Sequence, residues 1–155
     1  MNYIYLGVGD LYLPSVAAAV HLSRLDVNSP PDMNELLAVE HFRHGEKEDE
    51  GELYYVANDE QGNKVFVTCA KGQPDVFVRA VQSLLGVYHI SIKEVKVIPC
   101  EPENTQVIGI CKALRLVGLS KAEKTLAGKL AGNCLPDLAK KVERQAEGTP
   151  KGSTG

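Results

Sequence analysis

The order of its segments predicts a three-layer α/β domain: a small mixed, mostly parallel sheet of about four strands, helices on both faces, and a helical C-terminal third. Three observations carry this. Strand-like runs at 2–6, 52–69 and 94–100 are separated by segments of helical period. The turn-rich NDEQGN, residues 58–63, joins two of those runs as a hairpin. After residue 100 every periodic segment is helical.

Residues 2–6, NYIYL, read as a mostly buried strand, and 15–25, SVAAAVHLSRL, as a helix whose three alanines permit close packing on a sheet. Pro14 suits the first helical turn, where its missing N–H costs nothing. NSPPDM breaks the chain, and a second helix is expected over 32–42. Residues 43–51, RHGEKEDEG, form a charged connection. ELYYVA and KVFVTC are the hairpin strands. In 73–89, Phe77, Val81, Leu84, Leu85 and Tyr88 recur at helical spacing behind Pro74. EVKVIPC is the last strand. Val107, Cys111, Leu114 and Val117 share a helix face, and Ser120 with Glu123 matches a capping box that opens a helix through Leu126 and Leu130. NCLPDLAKKVERQA reads as a final, separate helix with Leu135, Leu138 and Val142 inward.

Parity sets the strand directions. Two successive helices return the chain to the carboxyl end of the first strand, so the second strand runs antiparallel, at an edge. The hairpin and a right-handed crossover then make the third and fourth strands parallel to the first. The loops after the first, third and fourth strands share the sheet end where open α/β sheets bind ligands.

Composition narrows the function. The chain has 155 residues, is 44% hydrophobic and 24% charged, and carries a net charge of −3. Residues 1–147 are expected to form a single domain, and 148–155 a flexible polar tail. That balance gives no reason to expect nucleic acid, or an anionic membrane, as a partner. The lysines of the last third alternate with acids, as on a solvated helix surface. No basic region precedes an apolar stretch at the N-terminus, and no run of 18 apolar residues occurs, so a cytoplasmic protein without a membrane span is expected. The four cysteines, at 69, 100, 111 and 134, have no CxxC spacing and read as buried thiols. Glu40, His41 and His44 lack the HExxH pattern and read as a helix end, so no metal site is expected.

The segment with the most chemical content is YLGVGDLYLPS, a strand, a glycine-bearing turn and a helix N-terminus. Gly7, Gly9, Asp10, Tyr12 and Ser15, with Lys71 from the neighbouring loop, are the candidate ligand-binding residues for a small anion. The Walker pattern is absent, and Asp10 has the wrong sign for a phosphate. Cys69 and Cys100 end parallel strands and, with Asp10, are the candidate catalytic groups.

IYLGVGDLYLPSVAAAVHLSRL, the hairpin GELYYVANDEQGNKVFVTCAKG and the helical LRLVGLSKAEKTLAGKLAGNCLPDLAKKVE together resemble DUF3189, a family of unknown function from spore-forming Firmicutes. The resemblance covers nearly the whole chain and implies a P-loop-like α/β scaffold of bacterial origin. The family loop is of a Gly-Gly-x-His-Ser type. Here Gly9 matches its first glycine, Asp10 replaces the second, Tyr12 stands at the histidine, Leu13 and Pro14 replace the small polar pair, and Ser15 falls one position late. The leading expectation is therefore a non-catalytic structural or protein-interaction role, with homo-oligomers through the C-terminal helices. The alternatives are a phosphate- or nucleotide-binding protein or enzyme using the loop, and a cysteine-dependent enzyme at the sheet edge. Which cofactor, if any, is left open by the sequence.

Overall fold

A computed structural model describes residues 1–42, 51–102 and 106–147. The charged connection 43–50 and the polar tail 148–155 lie outside the described residues. The sheet has four strands, β1 (Asn2–Val8), β2 (Tyr54–Asn58), β3 (Lys64–Ala70) and β4 (Val95–Cys100), in the order β2-β3-β1-β4. β1 pairs in parallel with both β3 and β4, and β2 pairs antiparallel with β3 at an edge, as parity requires.

Alternation sorts the sheet residues into two unequal layers. On one face Tyr3 and Tyr5 of β1, Val65, Val67 and Cys69 of β3, and Ile98 and Cys100 of β4 join one buried core with α1 (Tyr12–His21) and α5 (Ser120–Glu147). Ala17 and Ala18 of α1 and Ala127 and Ala131 of α5 are at most 1% exposed, and their small side chains let the two helices approach closely. The short α2 (Met33–Ala38) and α4 (Gln106–Leu116) also pack on α5. The other face is covered by α3 (Pro74–Val87), which contributes no buried residue.

Three boundaries differ from expectation. α1 begins at Tyr12 and not Ser15, so Pro14 is already in its first turn and the preceding loop shrinks. α2 stops at Ala38, where Val39 turns extended. Its start is held by a capping box, Asp32 Oδ1 accepting from the Glu35 N–H at 2.8 Å and Glu35 Oε2 accepting from the Asp32 N–H at 3.0 Å. The two expected C-terminal helices are one, 28 residues long, with Pro136 inside it. Proline removes one ladder bond, yet Leu130, Leu135, Leu138 and Val142 keep one buried stripe across it. Burial of that stripe outweighs the lost bond, and it also uses the α5 face that had suggested a dimer contact.

Candidate functional site

The sheet end carrying the glycine turn is built by strand register. Gly7 sits level with Cys69 on one side and Cys100 on the other. Its missing side chain has a reason: a Cβ there would lie 2.1 Å from the Asp10 carbonyl oxygen and 2.9 Å from Pro14 Cγ. The turn folds back over its own strand, and only glycine leaves the room. Gly9 adopts φ +72°, and its N–H donates to the Ala70 carbonyl at 3.0 Å, tying the turn to β3.

Asp10 follows at the start of the helix. Its Oδ1 accepts from the Leu11 N–H at 2.6 Å and the Tyr12 N–H at 3.2 Å, at the start of α1. The residue is 2% exposed. Burial pushes its carboxyl up to about 6, against the opposing pull of Arg115, the two backbone N–H groups and Lys112. Arg115 Nη2 stands 3.8 Å from Oδ2, which accepts no hydrogen bond. Lys112 Nζ lies 3.3 Å from where a Gly9 Cβ would be. Two cations placed against the turn thus come from α4. Lys71 follows Ala70, the partner of the Gly9 N–H, and is exposed on the β3–α3 connection.

Tyr12 is held inside the fold. It is 1% exposed; its hydroxyl donates to Glu123 Oε1 and accepts from Arg115 Nη2. Arg115 Nη2 also donates to Glu123 Oε1 at 2.7 Å, and its guanidinium lies 5.8 Å from the Tyr12 ring centre. Glu123, expected to cap α5, is instead a buried acid that locks α5 to α4 and α1. Ser15 is 1% exposed, and its hydroxyl is buried without a hydrogen-bond partner.

Cys69 and Cys100 are level with Gly7 across the sheet but lie on its core side. Cys69 and Cys100 are 2% and 1% exposed, and both belong to the core under α1 and α5. Burial pushes the Cys100 thiol up to about 12, although Lys141 opposes the shift. A thiol so placed carries little thiolate at neutral pH. The cysteines of the described residues form no disulfide.

A second polar cluster sits at the opposite sheet end. The Tyr5 hydroxyl and His21 Nδ1 are 2.6 Å apart, and His21 Nε2 meets Asp59 Oδ2 at 3.1 Å. Asp59 also accepts from the Asn63 and Gln61 backbone at 2.8 and 2.9 Å. Both imidazole nitrogens are therefore engaged, one by a wholly buried tyrosine, so the trio serves as a clamp between α1 and the hairpin turn. Of the histidines near the second helix, His44 lies outside the described residues, and His41 stacks on Tyr54 at 4.9 Å. No cluster of potential metal ligands occurs among the described residues.

Sequence reasoning located the turn and missed its partners. Lys112, Arg115 and Glu123 lie over 100 residues away along the chain, on helices whose apolar faces drew the attention. The Ser120–Glu123 spacing marked Glu123 but suggested a different task.

Fold and turn together define a small α/β protein with a strand–glycine turn–helix unit whose first helical N–H groups are taken by its own aspartate. Residues 2–146 match the model of DUF3189, a protein family of unknown function, and the chain belongs to that family. No curated protein and no solved structure matches it. No helix among the described residues is long and apolar enough to cross a membrane.

Proposed function

We propose that this protein is a protein-interaction module whose partner packs beside α3. One observation carries the reading: Val76, Leu84, Val87 and Tyr88 of the α3 region are between 58% and 71% exposed. Spacings of four and three residues put Val76, Ala80, Leu84 and Val87 on one flank of α3, beside the row of Phe77, Val81 and Leu85 turned to the sheet. A helix apolar on two sides is the kind that is normally enclosed. Four strands span about 19 Å, and one helix covers about 10 Å of that. Tyr55, on the same sheet face and paired in register with Phe66, is 51% exposed. Among the described residues nothing covers the remaining strip, which is one helix wide.

The burial of Cys69, Cys100 and Asp10 supports a non-catalytic role. A second copy of the chain is the first partner to test, by light scattering across a wide concentration range. A photo-crosslinking amino acid at position 84, in cells that make the protein, tests other partners. A discrete adduct, lost when Val76 and Val87 are both changed to glutamate, is expected. Monomers without any adduct overturn the reading.

A second reading is favoured by Lys112 and Arg115 converging on the turn: an oxyanion competes with the Asp10 carboxylate for the Leu11 and Tyr12 N–H groups. Asp10→Gly should then raise phosphate affinity at least tenfold in calorimetry. No gain removes this reading.

A further inference from the structure

We infer that the corner joining α4 to α5 docks on an anionic membrane surface, its aliphatic tip entering the headgroup layer and the lysines beside it facing lipid phosphates. This does not rest on the α3 surface, which belongs to the other face of the sheet.

The tip is Leu116, Val117 and Leu119, which are 86%, 73% and 55% exposed. No large apolar side chain among the described residues is more exposed than Leu116. Ile110 and Ala113 precede Val117 at helical spacing and are also exposed. They lie on the outer side of α4, opposite the buried Ile108 and Cys111. A helix apolar on both its inner and its outer side is normally enclosed, and an exposed apolar patch of this kind marks a contact surface.

The exposure is built into the backbone. Gly118 takes φ +80°, its N–H donates to the Arg115 carbonyl at 3.1 Å, and the Leu119 N–H donates to the Leu114 carbonyl at 3.0 Å. That is the bonding by which a left-handed glycine closes a helix. The Glu123 N–H then donates to the Leu119 carbonyl at 3.1 Å, so α5 starts at once. The corner is a fixed turn with these N–H groups already paired, as entry into an apolar layer requires. A Cβ placed at Gly109 or Gly118 would meet nothing within 4 Å, so the tip is convex. A protein partner would have to offer a matching hollow, whereas a fluid lipid layer needs none.

Charge selects the kind of membrane. The whole chain has a net charge of −3, yet between Gln106 and Pro136 it holds Lys112, Arg115, Lys121, Lys124 and Lys129 against one acid, Glu123. Glu123 is 1% exposed and accepts from Arg115 at 2.7 Å. The acid that alternates with these lysines along the chain is thus withdrawn from the surface. Lys121 and Lys124 stand in the first two turns of α5, next to the tip. Cations beside an apolar tip are drawn to anionic lipids, and the apolar area buried adds to the attraction.

The test floats the full chain with vesicles of phosphatidylcholine alone and of equal parts phosphatidylcholine and phosphatidylglycerol. Binding to the anionic vesicles, much weaker binding to the neutral vesicles, and release by salt are expected. Leu116→Ser with Val117→Ser should lower the affinity at least about tenfold. The melting temperature should not change, because both side chains already face water in the free protein. Lys121→Gln with Lys124→Gln should lower the affinity about fivefold per lysine. The chain has no tryptophan, so Leu119→Trp supplies a single reporter. Its emission should shift to the blue on anionic vesicles and be quenched by brominated lipid, while that of Val87→Trp, on α3, should do neither. Failure of the unaltered chain to float with anionic vesicles overturns the inference, as does undiminished binding by the double serine variant. Self-association without vesicle binding, lost in that same variant, would assign the corner to a second copy of the chain and overturn it as well.

Discussion

The Tyr12 hydroxyl donates to Glu123 Oε1 across 111 residues of chain, and Arg115 joins both. This triad, with Tyr12 and Glu123 buried and Arg115 part-buried, fastens the first turn of α1 to α4 and α5 beside the glycine turn. A buried pair is weak evidence of net stabilisation, but losing one member leaves the other charge uncompensated.

Arg115→Met is therefore expected to destabilise the fold by about 3 kcal/mol, because Glu123 is 1% exposed and would lose the guanidinium that hydrogen-bonds it. Tyr12→Phe should cost about 1–2 kcal/mol. Urea unfolding checks both. A double-mutant cycle of Tyr12→Phe with Glu123→Gln should show coupling of about 1 kcal/mol, and additivity would contradict the triad.

Three glycines should respond differently to alanine. Gly7→Ala forces a Cβ to within 2.1 Å of a backbone oxygen, so a loss of about 2–3 kcal/mol is expected. At Gly128 the obstacle is the flexible Met33 Cε at 2.5 Å, and the helix gain should nearly offset its displacement. At Gly132 nothing lies within 4 Å, and about 0.5–1 kcal/mol should be gained. Thermal unfolding of the three variants gives the ranking.

Stability should depend on pH through two acids of opposite sign. Asp10 is raised from an ordinary 3.8 to about 6, chiefly by burial. Its contribution is fully present below about pH 4 and is lost as pH rises through 6, worth about 3 kcal/mol. Burial also acts to raise Asp59, but hydrogen bonds from Asn63, His21 and Gln61 outweigh it and hold the carboxyl below 3.8. Its contribution is present above that value and is lost as pH falls through the lowered one. Asp10→Asn should thus gain on the unaltered chain at pH 7 and not at pH 4, while Asp59→Asn should lose at both, since both lie above 3.8. Unfolding curves at the two pH values decide it; equal offsets for Asp10→Asn at both would contradict the assignment.

Alkylation of the native protein should modify Cys134 first, since Cys69, Cys100 and Cys111 are buried and it is half-buried. Mass spectrometry after brief iodoacetamide treatment reads the order. Early loss of the Cys100 thiol would contradict its placement in the core.

Local pattern was enough for much of the architecture. Alternation in NYIYL and KVFVTC, the Asp-Asn-Gly chemistry of the hairpin, and the count of helices between strands determined the strand directions and the edge position of β2. These are properties of neighbouring residues and of chain parity, and they need no knowledge of distant contacts. The position of the glycine turn was legible for the same reason.

Tertiary packing decided the rest. Whether Pro136 ends a helix depends on the stripe from Leu130 to Val142 meeting α1, and local propensity alone argued for a break. Whether Asp10 repels a ligand or replaces one depends on how tightly the turn folds over Gly7, which brings the Leu11 and Tyr12 N–H groups onto its own carboxylate. Glu123 looked like a cap because capping is a three-residue pattern. It became a buried counter-charge because Arg115 and Tyr12, remote in sequence, arrived beside it, and in a low-dielectric interior an acid is held by the nearest donors whatever their distance along the chain.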